Sequence, residues 1–249
     1  MTSEVNRNMK DIIESMQMLG FENTAQQLQD ASETCDSEIA TVALALKTIA
    51  IERRNERTEM LLRRSKIEHP RYFSRLLTIP ERQLDVDYIH ELQALDFIRN
   101  HHNLVIWGSS GTGKSWMMDA LGTRACEEGL RTRYISFPSL YRDLEKKYRR
   151  NSASLEARIK YYCNFKVLCI DEFPNSEVKE LFLVQELFSE LEKKGTIIII
   201  GSQSDPENWP KLFKVLSLGQ SISGRIAGQA KKLHLVGPDL RKRTDLDLD

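Results

Sequence analysis

Gly108-Ser109-Ser110-Gly111-Thr112-Gly113-Lys114-Ser115 decides the fold. An apolar run, Leu104-Val105-Ile106-Trp107, precedes it, and the spacing predicts a helix over Trp116 to Glu128 after it. Strand, GxxxxGK[ST], helix is the order of a phosphate-binding loop. Glycines let the backbone N–H groups turn inward, and the helix N-terminus adds partial positive charge. Lys114 is placed to reach β- and γ-phosphates, and Ser115 to offer its hydroxyl to a magnesium ion. The flanking strand and helix weigh against a chance Gly/Ser turn, so the chain is expected to bind a nucleoside triphosphate.

Composition narrows the classes. With 249 residues, 41% hydrophobic and 29% charged, there is room for one ordinary domain and an accessory piece. The formal net charge of +0 means that any basic surface must arise by local segregation. Cys35, Cys126, Cys163 and Cys169 stand far apart without a CxxC pair, which argues against structural zinc and a disulfide framework and for a reducing cytoplasm. Cys169, in an apolar run, is expected to pack as a small hydrophobe. The polar N-terminus lacks the plan of a signal peptide, and no apolar run has the length of a membrane span, so no membrane association is expected.

Outward from the loop, helical spacing recurs toward the N-terminus. Asn8 to Leu19 and Thr24 to Ala31 read as helices, with Gly20 as a C-cap. A longer helix begins at Glu38 with the stripe Ile39, Val42, Ala43, Leu46, Ile49 and Ala50. These make a small α-helical domain, 1–67. If that last helix runs on unbroken, Arg53, Arg57 and Arg64 fall on the formerly apolar face. Lys66, Arg71, Arg75 and Arg82 follow. A solvated, ion-paired face and a contact with phosphate backbone are both open readings. Pro70 and Pro80 mark 68–87 as a linker or docking segment.

Within 88–243, Tyr88 to Arg99 reads as helix. Thr132–Ser136, Val167–Ile170, Thr196–Ile200 and Lys231–Val236 join Leu104–Trp107 as strands. Helices are expected from Phe137, over Ser154–Tyr162 and over Val178–Lys194. Alternation of this kind predicts an α/β fold: a parallel sheet with helices on both faces. The basic end of the Phe137 helix, Arg142 to Arg150, suits solvation or nucleic acid. Thr244 to Asp249 is an acidic tail.

Ligands collect at the carboxyl ends of parallel strands. Asp171-Glu172 follows four apolar residues in the Walker B manner. Asp171 would hold magnesium through water, opposite Ser115, and Glu172, held in place by a partner, would take a proton from the attacking water. Gln203 ends the next strand, where its amide could orient that water or simply form a turn.

Those residues carry a resemblance. The chain is similar to the IstB-like ATPases, transposition helpers of bacterial insertion sequences related to the DnaC and DnaI helicase loaders within the AAA+ superfamily. It rests on Glu52-Arg53-Arg54-Asn55-Glu56-Arg57, on LDFIRNHHNLVIWGSSGTGKS (Leu95–Ser115), and on VLCIDEF (Val167–Phe173). GSQSDPENW (Gly201–Trp209) and SGRIAG (Ser223–Gly228) are its more specific part. The resemblance implies Gln203 as sensor 1, where Asn is more usual, Arg225 as the arginine offered to a neighbouring subunit's ATP, and Arg241 as a sensor 2-like arginine. It implies ATP and Mg2+ as ligands, ATP-dependent homo-oligomerisation on duplex DNA, and delivery of a target site to a partner transposase. It favours a DNA contact for Arg53, Arg54, Arg57, Arg63 and Arg64, and a lid that is missing or vestigial. A replicative helicase loader, a small-molecule kinase and a non-hydrolysing ATP sensor are the alternatives.

Overall fold

The computed structural model describes residues 12–14, 16–17, 25–26, 30, 38–174 and 178–242, with backbone alone over 38–46. Most of the Asn8–Leu19 and Thr24–Ala31 helices, with Gly20 and the 244–249 tail, lies outside the described residues, although 12–14, 16–17 and 25–26 are helical. The chain divides into two compact units, Met1–Glu59 and Met60–Asp249. In the first, Met16 and Ala25 are buried, with Ile12, Ile13 and Ile49 packed against them. Helix α1, Glu38–Ser65, runs without a break, as the extended stripe required. Arg53, Arg54, Arg57, Arg63 and Arg64 are all exposed along it.

The second unit is built on five parallel strands: β1 Leu104–Trp107, β2 Thr132–Ser136, β3 Val167–Asp171, β4 Ile197–Ser202 and β5 Lys231–His234. Their order is β2-β3-β4-β1-β5. Side chains alternate between faces along each strand, and two cores result. Leu104, Ile106, Val167, Cys169, Ile197 and Ile199 face one, with Ile89 and Leu92 of α2 (Val86–Ala94), Phe97 and Ile98 of α3 (Asp96–Arg99), and Met117, Met118 and Leu121 of α4 (Lys114–Glu127). Val105, Leu168, Ile170, Ile198 and Ile200 face the other. It is filled from α5 (Phe137–Arg150), α6 (Ser152–Cys163), α7 (Leu181–Lys194), α8 (Trp209–Leu212) and α9 (Leu216–Ala227). Such two-sided burial is why these strands read as continuous apolar runs.

Tertiary packing moves several expected boundaries. Tyr88–Arg99 is two helices, because Leu95 turns the chain at φ 62° between α2 and α3. A left-handed leucine costs roughly 1–2 kcal/mol, and burying its side chain, 2% exposed here, offsets that by about 1.5–3 kcal/mol. Helix α7 starts at Leu181 rather than Val178, since the Tyr141 hydroxyl accepts from the Lys179 and Glu180 N–H groups (3.1 and 2.9 Å) just before it. Helix α9 has no strong sequence signal, with Gly219 and Gly224 inside it. Buried Ile222 and Ile226 hold it on the sheet, and at Gly219 a Cβ would press on Phe213 and the Pro210 carbonyl. Strand β4 runs on to Ser202, and β5 stops at His234, with one more ladder bond from Leu235 N to Trp107 O, 2.8 Å.

The 68–87 segment carries two 3-10 turns, Phe73–Arg75 and Pro80–Arg82. Its Phe73, Leu76 and Leu84 pack on the second unit's core. Arg82, expected among the exposed basic residues, is instead 2% exposed. Cys169 is fully buried, and burial pushes the Cys126 thiol up to about 11. No helix among the described residues is long and apolar enough to cross a membrane.

Candidate nucleotide-binding site

Strand register sets the site. Ile106 of β1 pairs with Gly201 of β4, and Ser136 of β2 with Asp171 of β3, so the carboxyl ends finish at one edge. From that edge the phosphate loop leaves β1 and is tied back by Gly108 N donating to Ser202 O, 3.2 Å. Gly108 has φ 151°, and a Cβ there would run into the Leu235 carbonyl, so only glycine fits. Lys114 Nζ folds along the loop and donates to Gly108 O (2.9 Å) and Ser109 O (2.8 Å). Burial lowers its pKa; the Asp171 carboxylate opposes that shift, and Arg241 adds to it. The Thr112 hydroxyl donates to Ser109 O at 2.9 Å, which braces the loop's tip.

Asp171 is the hub. Its Oδ2 accepts from Ser115 Oγ at 2.6 Å and from the Tyr134 hydroxyl at 2.7 Å, and its Oδ1 accepts from Glu172 N at 2.8 Å. Burial and the Asp171 charge push the Tyr134 hydroxyl up, so it remains a donor. A Cβ on Gly201 would run into Asp171 Oδ1 and Met118 Sδ, so glycine there is what lets the carboxylate lie against the sheet edge. Glu172 is exposed with φ 61°, a conformation that non-glycine residues hold mainly where the surroundings impose it. Ser202 Oγ accepts from Ser204 N (3.1 Å) and Trp209 Nε1 (3.0 Å), which pins the turn carrying Gln203.

These groups share one cavity of about 390 Å³, lined by Ser110, Gly111, Gly113, Lys114, Ser115, Asp171, Glu172, Gln203 and Arg241. Arg241 comes from a C-terminal segment that crosses the loop: its Nη2 donates to Ser110 Oγ (3.0 Å), and Leu240 N donates to Gly111 O (3.0 Å). Asp239 accepts three bonds from Arg241, two from its guanidinium and one from its N–H, and these hold its carboxyl below the usual range. The donor set fits magnesium. Ser115 and Asp171 offer two adjacent hard oxygens, and Mg2+ commonly takes one or two protein oxygens together with substrate phosphates and waters.

Two groups of expected residues stay apart from the cavity. Arg225, near the end of α9, lies by the strands' amino ends. Asn103, just before β1, donates to Arg225 O and Ile226 O (3.5 and 3.2 Å) and accepts from Ile198 N. Arg225 Nε pairs with Glu192 at 3.4 Å. Arg63 and Arg64, the α1 arginines within the second unit, also line no part of the cavity. Conversely, sequence reading missed Tyr134, Trp116, Leu77 and Leu240 as site residues and read Arg71, Arg75 and Arg82 only as basic. Tyr134 lies in β2, and its nearness to Asp171 depends on β2–β3 pairing that no local pattern announces.

The order β2-β3-β4-β1-β5, the loop following β1 and the acid pair at the end of β3 are those of the AAA+ P-loop fold. The fold is similar to that of the DnaC helicase loader (TM-score 0.56, 14% identity, 68% of this chain and 98% of that one). It is equally similar to AMPPCP-bound DnaA from Aquifex aeolicus (TM-score 0.56, 18% identity, 69% and 51%). A family model described as IstB-like ATP binding protein matches residues 13–247, and the chain belongs to that family. An insertion-sequence ATP-binding protein of Sinorhizobium fredii is 27% identical over 236 residues, 93% of this chain and 94% of that protein.

Proposed function

We propose that this AAA+ ATP-binding protein is a magnesium-dependent ATPase that assembles on duplex DNA and delivers a target site to a partner transposase. The observation that carries the hydrolytic part is the meeting of Lys114, Ser115, Asp171, Glu172 and Gln203 around one cavity. Lys114 gives up its loop carbonyls to phosphate oxygens and holds the β- and γ-phosphates. Ser115 and Asp171 would hold a magnesium ion, which would neutralise charge on the phosphates. Asp171 is kept in place by Tyr134. Glu172 accepts the proton of the attacking water, and Gln203 orients that water. Arg241, from the segment that crosses the loop, lines the same cavity.

Arg225, remote from its own chain's cavity, acts in trans on a neighbouring copy, so hydrolysis depends on assembly. Residues 1–67 serve as the domain for DNA, partner and oligomer contacts, 68–87 as linker and 88–243 as the ATPase. Exposed Arg53, Arg54, Arg57, Arg63 and Arg64 meet phosphates of the duplex. The insertion-sequence family supports the transposase as partner, in the cytoplasm where the DNA lies.

The test is ATP turnover with and without duplex DNA, together with determining whether the neighbouring reading frame encodes a transposase and whether this chain captures that product. DNA-stimulated turnover and capture that depends on ATP are expected. Capture of a replicative helicase instead would replace the transposase reading, and absence of turnover under both conditions would leave an ATP-sensing adaptor.

A further inference from the structure

Three charged residues line the nucleotide site without a part in its chemistry above, Arg71, Arg75 and Arg82, and of these Arg82 is the buried one. Arg82 closes the turn Pro80–Arg82 in the segment before β1, and its side chain is buried as deeply as the aromatic residues of the core. Nη1 donates to Leu77 O at 2.7 Å, in its own segment. Nη2 donates to Thr112 O at 3.2 Å, in the phosphate loop. Nε is buried without a hydrogen-bond partner. Two glycines leave the room: a Cβ on Gly113 would stand 3.2 Å from Nη2, and one on Gly237 3.3 Å from Cγ.

No ion pair joins Arg82 to a carboxylate among the described residues, and burial alone pulls its pKa below the ordinary value. A buried cation is normally matched by an anion, because leaving it unmatched is strongly unfavourable. Arg82 lines the same cavity as Lys114 and Gly113, so an anion bound there would lie close to it.

We propose that Arg82 is the fixed counter-charge of this site, a positioning residue that braces the phosphate loop through Thr112 and is neutralised by the anionic nucleotide rather than by a carboxylate of the chain. This rests on reading the cavity as a nucleotide site. It gives the 68–87 segment a second task, since the residue that senses ligand charge also holds the Leu77 carbonyl of that segment.

The test is a titration of wild type, Arg82→Met and Arg82→Lys with ATP, ADP and AMP, with folding followed by circular dichroism. Coulomb attraction grows with ligand charge. Loss in Arg82→Met should therefore be largest for ATP, roughly tenfold or more, smaller for ADP and least for AMP. Arg82→Lys keeps the charge and should keep the wild-type spacing between the three ligands. Equal losses for all three in Arg82→Met would make Arg82 a neutral brace and overturn the proposal. So would unchanged affinities. Should Arg82→Met fail to fold, Arg82→Lys decides: the spacing retained supports the counter-charge, and its collapse in folded protein overturns it. Wild-type protein that binds none of the three would instead defeat the nucleotide reading itself.

Discussion

Lys114 and Asp171 show how much of the site depends on single atoms. Lys114 Nζ is held by two loop carbonyls within 2.9 Å, and phosphate oxygens must compete for the same protons. Hydrogen bonds to a charged group contribute about 1.5–3 kcal/mol, so Lys114→Ala should weaken ATP binding roughly ten- to hundredfold in a fluorescent-nucleotide titration. Unchanged affinity would move the phosphates elsewhere. Glu172→Gln keeps shape but cannot accept a proton, and should retain ATP while slowing turnover by roughly 10²–10⁴-fold. Tyr134→Phe removes a donor to Asp171 Oδ2 but leaves the ring. We expect a higher Mg2+ concentration for half-maximal nucleotide binding, with ATP affinity at saturating Mg2+ little changed; an unshifted Mg2+ dependence would make that hydroxyl purely structural. Asp119 supplies a pH signature. Burial, with Asp171 as a like charge, pushes it up to about 7 from 3.8. The folded chain then binds more protons than the unfolded one between those values, so this contribution to stability is full below about 4 and lost as pH rises through about 7. Asp119→Asn should flatten that part of a thermal-melt profile in magnesium-free buffer.

At the scale of elements, strand β4 is the piece that joins the two halves of the site. It lies between β1, which launches the phosphate loop, and β3, which ends in Asp171. Gly201 is where the three meet, and a side chain there displaces the Asp171 carboxylate. Gly201→Ala should therefore fold but show slower hydrolysis and a weaker response to Mg2+, while its ATP affinity without metal changes less. Equal damage to both would mean that the strand itself had shifted. Helix α9 carries the other elemental prediction. Arg225 sits toward the amino ends of the strands, paired with Glu192, away from its own chain's cavity. Arg225→Ala should bind ATP normally and hydrolyse it slowly, and mixing it with Lys114→Ala protein should restore part of the rate. Co-assembled mixtures that recover nothing would argue that Arg225 serves only its ion pair.

For the whole molecule, net charge is zero, so affinity for a duplex has to come from a segregated surface. The exposed arginines of α1 are the proposed candidate for it. Replacing Arg53, Arg57 and Arg64 with Glu should weaken duplex binding regardless of sequence and flatten the log–log salt slope by up to about three, near 0.9 for each phosphate no longer neutralised. Fluorescence anisotropy at several salt concentrations, in the Glu172→Gln background with ATP, reads this directly. An unaltered slope would leave the basic end of α5, Arg142 to Arg150, as the next surface to test.

The amino-acid sequence by itself determined the parallel α/β fold, the phosphate loop, the acid pair and the family resemblance. Each rests on a local rule: apolar runs for two-sided strands, glycine where the loop turns, acids directly after a buried strand. Long-range packing decided the rest. Strand order brought Tyr134 of β2 to Asp171 of β3, buried leucine packing bent the chain at Leu95, and core packing made a helix of the glycine-containing stretch from Leu216. Packing also carried Arg82 beneath the phosphate loop, 30 residues further along the chain at Thr112. A basic residue in a proline-marked linker reads locally as solvated. Its burial depends on two distant glycines and a phosphate-loop carbonyl, which only the folded arrangement brings to one place.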